Sequence, residues 1–241
     1  MGFQENKQEL EESGFSVIAA VYTESEIAAI SVCMDAIDSE EASFMKTKNL
    51  FAVRQLLKNV PALKPLLFTK QLMQLIEEIG GKDYFLTKAM YLDKPKDSNW
   101  FVPYHQDLSI SVNKKVAIEN YNSWTFKRGQ FGVQPPADIL EKTITIRIHL
   151  DDTDENNGAL KVIPKSHLKG VRRFASIDDS NKESGTYCNV KNGGVMLMKP
   201  LTFHASSRAI NERQRRVIHL EFCNQPLVKP LEWAEKLSVF Y

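Results

Sequence analysis

The sequence predicts a single mainly β domain whose sheet is flanked by an N-terminal layer of helices. Helix-start and helix-stop signals dominate before about residue 82, whereas from Tyr84 onward short β-rich runs alternate with Pro, Asn-Gly and Gly-Gly. No repeat, low-complexity tract or Pro/Ser-rich linker separates the two regions. A chain of 241 residues suits one sandwich or barrel domain, so we expect the helices to cover the sheet.

The helical layer is predicted over residues 1–82 from two capping signals. Thr23 and Glu26 have the spacing of a capping box ahead of an apolar run, and Thr69 opens a segment that Gly80-Gly81 closes. Each signal satisfies backbone groups that a helix end leaves unpaired, so both segments are predicted to be helices.

The β core is predicted over residues 83–225, followed by a C-terminal tail over 226–241. The predicted strands are YFLTKAMYL, KTITIRIHL, GALKVI, GVMLMK and RRVIHLEF. In KTITIRIHL, Arg147 and His149 alternate with isoleucines, and Arg215 and His219 occupy one face of RRVIHLEF. Because buried charges need partners or a wet cavity, these polar faces indicate a site between strands.

The segment from Ser109 to Pro136 is predicted to be a long loop that acts as a lid or binding element. Loops of this length are uncommon in compact domains and are often functional. It contains Trp124 and Phe126, which we expect, with His149, to contact substrate.

Composition excludes several partner classes. The formal net charge is +1, which provides no field for nucleic acid or an anionic membrane, and no apolar run is long enough to span a bilayer. The N-terminus lacks the pattern of a signal peptide. Three widely spaced cysteines, Cys33, Cys188 and Cys223, suit reduced packing residues. We therefore expect a soluble cytoplasmic protein, a monomer or homodimer, that acts on a small molecule.

A metal site is predicted from two separate segments. In YHQDLSI, His105 and Asp107 are two residues apart and point the same way if the segment is extended. His-x-Asp alone is weak, but His204 in LTFHASS supplies a third ligand. Two imidazoles and one carboxylate form the facial triad that suits non-haem Fe(II), and no cysteine lies nearby to favour zinc.

These segments resemble the phytanoyl-CoA dioxygenase-like branch of the iron(II)/2-oxoglutarate oxygenases. The resemblance extends from AMYLDKPKDSN through YHQDLSI and ITIRIHLDDTDENNGALKVIPKSH to GGVMLMKPLTFHASSRAINERQRRVIHLEF. It implies a double-stranded β-helix, a jelly roll of cupin-like type, with Fe(II), 2-oxoglutarate and O2 as cofactor and co-substrates. It also implies an oxidation of the substrate that releases succinate, and a carboxylate at Asp107 favours an oxygen-driven outcome over halogenation.

The resemblance assigns roles residue by residue. His105, Asp107 and His204 match the iron ligands, and Arg215 matches the arginine that binds the distal carboxylate of 2-oxoglutarate. Ser206 matches a hydroxyl assisting that carboxylate, and Met90 a residue beside the co-substrate.

Two positions depart from the family pattern. Arg147 stands where the family commonly has Trp, and Lys165 replaces a common Gly. Arg147 could anchor 2-oxoglutarate, bind an anionic substrate or pair with an acid such as Asp151, and these alternatives stay open. His167 and His219 are interpreted as structural, although His219 could line the cavity.

Two other functions are compatible with the residues alone. One is a divalent-metal hydrolase on a cupin-like barrel, and the other is a non-catalytic jelly-roll binding module. Arg215 argues against the hydrolase because hydrolysis requires no carboxylate anchor.

Overall fold

The structure is a computed structural model that describes residues 2–37, 44–47, 50–95, 101–176 and 185–240. The helices in these residues are α1 (Gln4–Ser13), α2 (Glu24–Asp35), α3 (Leu56–Asn59), α4 (Leu63–Leu67), α5 (Lys70–Ile79) and α6 (Ala137–Glu141). The strands are β1 (Phe15–Ile18), β2 (Phe44–Thr47), β3 (Leu50–Arg54), β4 (Phe85–Lys94), β5 (Val102–His105), β6 (Ile110–Val112), β7 (Asn122–Lys127), β8 (Gln130–Gln134), β9 (Ile144–His149), β10 (Leu160–Val162), β11 (Thr186–Tyr187), β12 (Val195–Met198), β13 (His204–Ser206), β14 (Arg215–Cys223) and β15 (Leu237–Ser238).

The largest sheet has the strand order β1-β12-β9-β14-β4-β3-β2, with β15 also paired to β4. The two predicted alternating strands, β9 and β14, lie side by side at its centre. Their apolar faces, including Ile146, Ile148 and Leu220, pack in one cluster with buried residues of the N-terminal helices. The predicted amphipathic character of these strands is therefore confirmed, and the opposite face carries the polar residues.

A smaller sheet, β11-β10-β13-β5, covers that polar face. Leu160 and Val162 of the smaller sheet pack against Met196 and Met198 of the larger one. Two antiparallel sheets face each other with the polar residues between them. This is the double-stranded β-helix that the resemblance implied, so the predicted fold class is confirmed.

The N-terminal third contains more than helices. The predicted capping box at Thr23 and Glu26 is present, and Thr69 caps α5. However, β1, β2 and β3 also lie in this region and extend the large sheet at both edges. Strands of four or five residues are too short to show a clear period, which is why the sequence predicted a mainly helical layer here and none of these strands.

The segment Ser109–Pro136 is not a loop, and that prediction was wrong. It forms a third antiparallel sheet with the order β6-β8-β7. Arg128 and Gly129, both with positive φ, make the two-residue turn between β7 and β8, and Lys127 pairs with Gln130 across it. Such turns match the twist of a hairpin and usually contain Asn-Gly or Asp-Gly, so Arg-Gly was an unrecognised signal.

The C-terminal residues pack on their own domain. β15 pairs with β4, and the buried Leu231 and Trp233 join Val133 and Leu140 in a second apolar cluster. None of the helices in the described ranges combines the length and apolarity needed to cross a bilayer.

Candidate metal and co-substrate site

Two histidines face each other across adjacent strands of the smaller sheet. His105 is the last residue of β5, His204 is the first of β13, and the two are direct partners in the antiparallel register. Their ring centroids are 4.2 Å apart. Cross-strand partners have neighbouring Cβ atoms, so this register alone brings together two imidazoles that are 99 positions apart in sequence.

Both imidazoles are fixed by the same local hydrogen bond. Nδ1 of His105 lies 2.9 Å from the carbonyl oxygen of Pro103, and Nδ1 of His204 lies 2.9 Å from that of Thr202. A carbonyl can only accept, so each Nδ1 carries the proton and each Nε2 keeps its lone pair. This is the arrangement required of a histidine that binds a metal through Nε2.

Asp107 completes the group from the loop after β5. Its backbone N–H donates to the Pro200 carbonyl at 2.9 Å. The intervening Gln106 points away and anchors the loop, because its amide donates to the carbonyls of Leu201 and Gly170. The Asp107 carboxylate oxygens thereby lie 3.8 Å from Nε2 of His105 and 3.7 Å from Nε2 of His204.

The three ligand atoms lie within 4.8 Å of one another. Two histidines and one carboxylate converging from one side fit the facial triad of a non-haem Fe(II) site. The predicted metal site is thus assembled as three neighbouring side chains.

Electrostatics hold these groups in their ligand forms. Burial lowers the pKa of His204 to about 4, so its ring is neutral at physiological pH. Burial also raises the pKa of the Asp107 carboxyl, but His204, His219, His105 and Lys88 together outweigh that effect and lower it to about 2. The carboxylate is therefore ionised over the whole physiological range.

A group of buried cations lies at the opposite end of the polar face. Nη1 of Arg215 donates to the carbonyl of Gly158, which also accepts from the Ser206 hydroxyl at 2.9 Å. Lys94, the cross-strand partner of Arg215, donates to the Ser207 carbonyl at 2.7 Å. Nε of Arg215 is buried without a hydrogen-bond partner among the residues that the structure describes. Within the described part of the chain, neither cation bonds a carboxylate, which leaves this end complementary to an anion.

Arg147 lies between the metal ligands and these cations. Burial lowers the pKa of Arg147 to about 10, and the charge of Asp107 partly offsets this effect. Burial and, to a smaller extent, the charge of Arg147 lower the pKa of Arg215 to about 9. Nη1 of Arg147 donates to Nδ1 of His219 at 3.1 Å. Because that Nδ1 must accept, Nε2 carries the proton and donates to Glu221 at 3.0 Å.

This chain of contacts ends at a cavity. Glu221 accepts from Lys88 at 2.7 Å, and Lys88 lines a cavity of about 390 Å³ next to Asp107. The suggested pairing of Arg147 with Asp151 is wrong. Asp151 instead bonds Arg216 on the outer face, at 2.8 and 3.0 Å.

The sequence profile of the phytanoyl-CoA dioxygenase (PhyH) family matches residues 10–217. The chain belongs to this family. No curated protein matches it significantly. Solved structures that match share the fold at low sequence identity.

Three solved structures illustrate the similarity of this PhyH-family protein to known folds. The 2-oxoglutarate-dependent epimerase SnoN of nogalamycin biosynthesis is 14% identical, with a TM-score of 0.69 over 92% of this chain and 80% of SnoN. HygX from Streptomyces hygroscopicus, with nickel and 2-oxoglutarate bound, is 16% identical, with a TM-score of 0.65 over 91% and 86%. EvdO2 from Micromonospora carbonacea var. aurantiaca, complexed with 2-oxoglutarate, is 17% identical, with a TM-score of 0.64 over 96% and 93%.

The remaining predicted site residues of this PhyH-family member lie in three different places. Met90 lines the cavity beside Asp107 and is the cross-strand partner of His219. His149 is buried beyond Arg147, with Nδ1 2.9 Å from the Thr153 hydroxyl. Trp124 packs against the second apolar cluster, and Phe126 is 62% exposed beside Phe131. The structure therefore does not bring Trp124, Phe126 or His149 to the cavity, contrary to the expected substrate contacts.

Several site residues were missed by the sequence analysis. On β4, Lys88 and Lys94 share the face of Met90, and on β14 Glu221 shares the face of His219. Residues at even spacing along a strand share one face, so counting by two from Met90 and His219 would have identified Lys88, Lys94 and Glu221. Lys165, the departure from a family Gly, has φ of +64° in the left-handed region, which explains why Gly is common at this position.

Proposed function

We propose that this protein is an Fe(II)/2-oxoglutarate-dependent oxygenase that hydroxylates a small organic substrate and releases succinate and CO2. The observation that carries the proposal is the convergence of the ligand atoms of His105, Asp107 and His204 within 4.8 Å. Membership of the PhyH family supports it, as does a fold shared with proteins solved with 2-oxoglutarate bound. When bound, iron would supply the oxidative decarboxylation of 2-oxoglutarate by dioxygen.

The triad residues would hold the metal from one side. Both histidines present Nε2 because backbone carbonyls take the Nδ1 proton, and Asp107 contributes the negative charge. Three ligands on one face of an octahedron leave the opposite positions for the co-substrate and dioxygen.

The buried cations support 2-oxoglutarate as the co-substrate. Arg215 and Ser206 would bind its distal carboxylate, and Lys94 adds a second positive charge at the same place. A planar guanidinium matches a carboxylate with two parallel hydrogen bonds. Arg147 lies between this end and the metal ligands, where it would stabilise the negative charge of the co-substrate.

Hydroxylation is the outcome we propose among the reactions available to this fold. The neighbours include an epimerase and a carbocyclase, so the fold by itself does not select the reaction. Asp107 would provide a carboxylate ligand where a halogenase needs a free position for a halide, which argues against halogenation. A product that gains one oxygen atom from ¹⁸O-labelled dioxygen is the expected result.

The decisive experiment is an anaerobic titration followed by turnover in air. Fe(II) and 2-oxoglutarate added to the protein should give a visible charge-transfer band, because chelation of iron by the keto acid produces it. Admission of oxygen should then release succinate. His105→Ala and His204→Ala should lose both signals.

His167→Gln is the matched control, since His167 contacts the Glu11 carbonyl and lies outside the site. It should keep the band and the succinate release. A protein that forms no band yet hydrolyses esters or amides with a divalent metal would be a hydrolase. A protein that binds 2-oxoglutarate without producing succinate would be a binding module.

A further inference from the structure

A cavity of about 390 Å³ opens beside Asp107, between the large sheet and the third sheet. Arg54 and Met90 line it from β3 and β4, and Asp107 forms part of its wall. The third sheet contributes Lys127, Gln130 and Phe131. The metal and the co-substrate require none of the third-sheet residues, so this wall is available to recognise another molecule.

The charges around the cavity are unbalanced. Arg54, Lys88 and Lys127 line it with the single carboxylate of Asp107. Lys88 is neutralised by Glu221 at 2.7 Å. In the residues that the structure describes, Arg54 and Lys127 form no ion pair, and the polar contact of Arg54 is with the Met90 sulfur at 3.9 Å. Two cations of the cavity lining are therefore left without a carboxylate partner among the described residues.

An unpartnered donor supports the same conclusion. Nε2 of Gln130 is buried and has no hydrogen-bond partner in the part of the chain that the structure describes, although its residue lines the cavity. A buried donor without an acceptor is costly, so such groups are normally satisfied by protein, water or ligand. An amide N–H beside two cations calls for a ligand with acceptor oxygens and negative charge.

The other walls indicate the size and character of the ligand body. Phe131, Leu108 and Met90 are apolar side chains in the lining, and the volume is that of a small-molecule site. The ligand therefore combines an apolar body with an oxyanion.

We propose that the primary substrate is a small organic acid whose carboxylate or phosphoryl group is bound by Arg54, Lys127 and Gln130. This inference rests on the proposed function and specifies its substrate class. With the anion held at the third sheet, the apolar body extends towards Asp107, where oxidation would occur. The third sheet is thus a specificity element, and Lys127 and Gln130 act from opposite sides of its hairpin turn.

The test uses matched probes of different charge. Phenylacetate, phenyl phosphate and uncharged phenylacetamide are added anaerobically to the protein with Fe(II) and 2-oxoglutarate, and the shift of the charge-transfer band gives a Kd for each. Phenylacetate or phenyl phosphate should shift the band, and whichever binds more tightly identifies the oxyanion. Phenylacetamide should bind at least about tenfold more weakly, as expected for the loss of charged hydrogen bonds.

Variants assign the effect to this cavity. Lys127→Met and Gln130→Ala should weaken binding of the acid about tenfold or more without changing the 2-oxoglutarate KM. Lys115→Met, at an exposed lysine outside the lining, should change neither value. Arg54→Met should act like Lys127→Met, whereas an effect confined to the 2-oxoglutarate KM would assign Arg54 to the co-substrate and overturn the inference.

Failures of the two proposals are distinguishable. A normal band that responds equally to the acid and the amide overturns the substrate class and leaves the oxygenase intact. A missing band overturns the proposed function. In that case calorimetric titration of the same probes into metal-free protein still decides whether an acid binds in a manner that depends on Lys127.

Discussion

Lys94 and Arg215 are direct cross-strand partners on β4 and β14, and both are at most 3% exposed. Like charges opposite one another destabilise a sheet, and burial makes the cost larger. Burial and the neighbouring Arg215 lower the pKa of Lys94 to about 8. Burial and the charge of Arg147 lower the pKa of Arg215 to about 9. An anion bound between the two cations would offset this cost.

Lys94→Met therefore has opposite effects on stability and on co-substrate binding. In metal-free protein, removing one of two facing cations should leave the Tm unchanged or raise it. The KM for 2-oxoglutarate should rise by about tenfold or more, since a hydrogen bond to a charged group contributes ~1.5–3 kcal/mol. Thermal unfolding and succinate assays measure the two effects.

Lys191→Met, at an exposed lysine paired with Asp152, is the control and should leave KM unchanged. A Lys94→Met protein with a lower Tm and an unchanged KM would show that Lys94 is only structural.

Gly158→Ala should damage the same anion site through its backbone. Gly158 has φ of +88°, and a Cβ there would lie 2.7 Å from the Lys94 amine and 3.0 Å from the Ser207 carbonyl. The substitution should raise the 2-oxoglutarate KM because both neighbours must move. Gly129→Ala is matched for backbone strain, with φ of +75° and nothing within 4 Å, and should leave that KM unchanged. Steady-state kinetics measure the 2-oxoglutarate KM of both variants, and equal KM values would contradict the prediction for Gly158.

Glu235 should make the stability of the protein fall as pH rises. Burial raises the pKa of its carboxyl from 4.5 to about 7, despite the N–H of Ala89 and the charge of Lys88. The folded state therefore binds more protons at Glu235 than the unfolded state. The contribution of this group to stability is fully present below about pH 4.5 and is lost as pH rises through about 7.

Glu235→Gln removes this penalty. The variant should match the parent near pH 5 and exceed it at pH 8 by about 1–3 kcal/mol, a range that allows for partial exposure. Urea unfolding at the two pH values measures the difference, with the exposed Glu119→Gln as control. A Glu235→Gln protein with the pH dependence of the parent would contradict this prediction.

The metal site could be predicted from sequence because its signals are local. His105 and Asp107 are two residues apart, and His204 follows a strongly apolar strand. The period of β9 and β14 likewise predicts from the sequence alone that Arg147, His149, Arg215 and His219 lie on polar faces. The register between β5 and β13, which brings His105 opposite His204, is a tertiary property that one sequence does not encode in any local pattern.

The third sheet shows where local reasoning failed. Asn120 and Arg128 flank β7 and Ser123 lies within it, and all three have positive φ without belonging to a common turn motif. Without the strand assignment, the aromatic residues Trp124 and Phe126 were predicted to contact substrate. On β7 the neighbouring Thr125 and Lys127 line the cavity instead. Successive side chains of a strand point to opposite faces, so Thr125 and Lys127 face the cavity while Trp124 and Phe126 do not. This rule can be used only once the segment is known to be a strand.

The chain Lys88–Glu221–His219–Arg147 should act as one unit in the stability of the protein. Lys88 and Glu221 are 12% and 7% exposed at the side chain, so each charge depends on the other. Glu221→Gln leaves Lys88 buried without its counter-charge and should lower the free energy of unfolding by about 3 kcal/mol. Replacing both, as Lys88→Met with Glu221→Gln, should recover most of that loss, because neither position of this pair then carries a charge that lacks its partner. A double-mutant cycle from urea unfolding measures the coupling, and purely additive effects would mean that the Lys88–Glu221 contact contributes nothing.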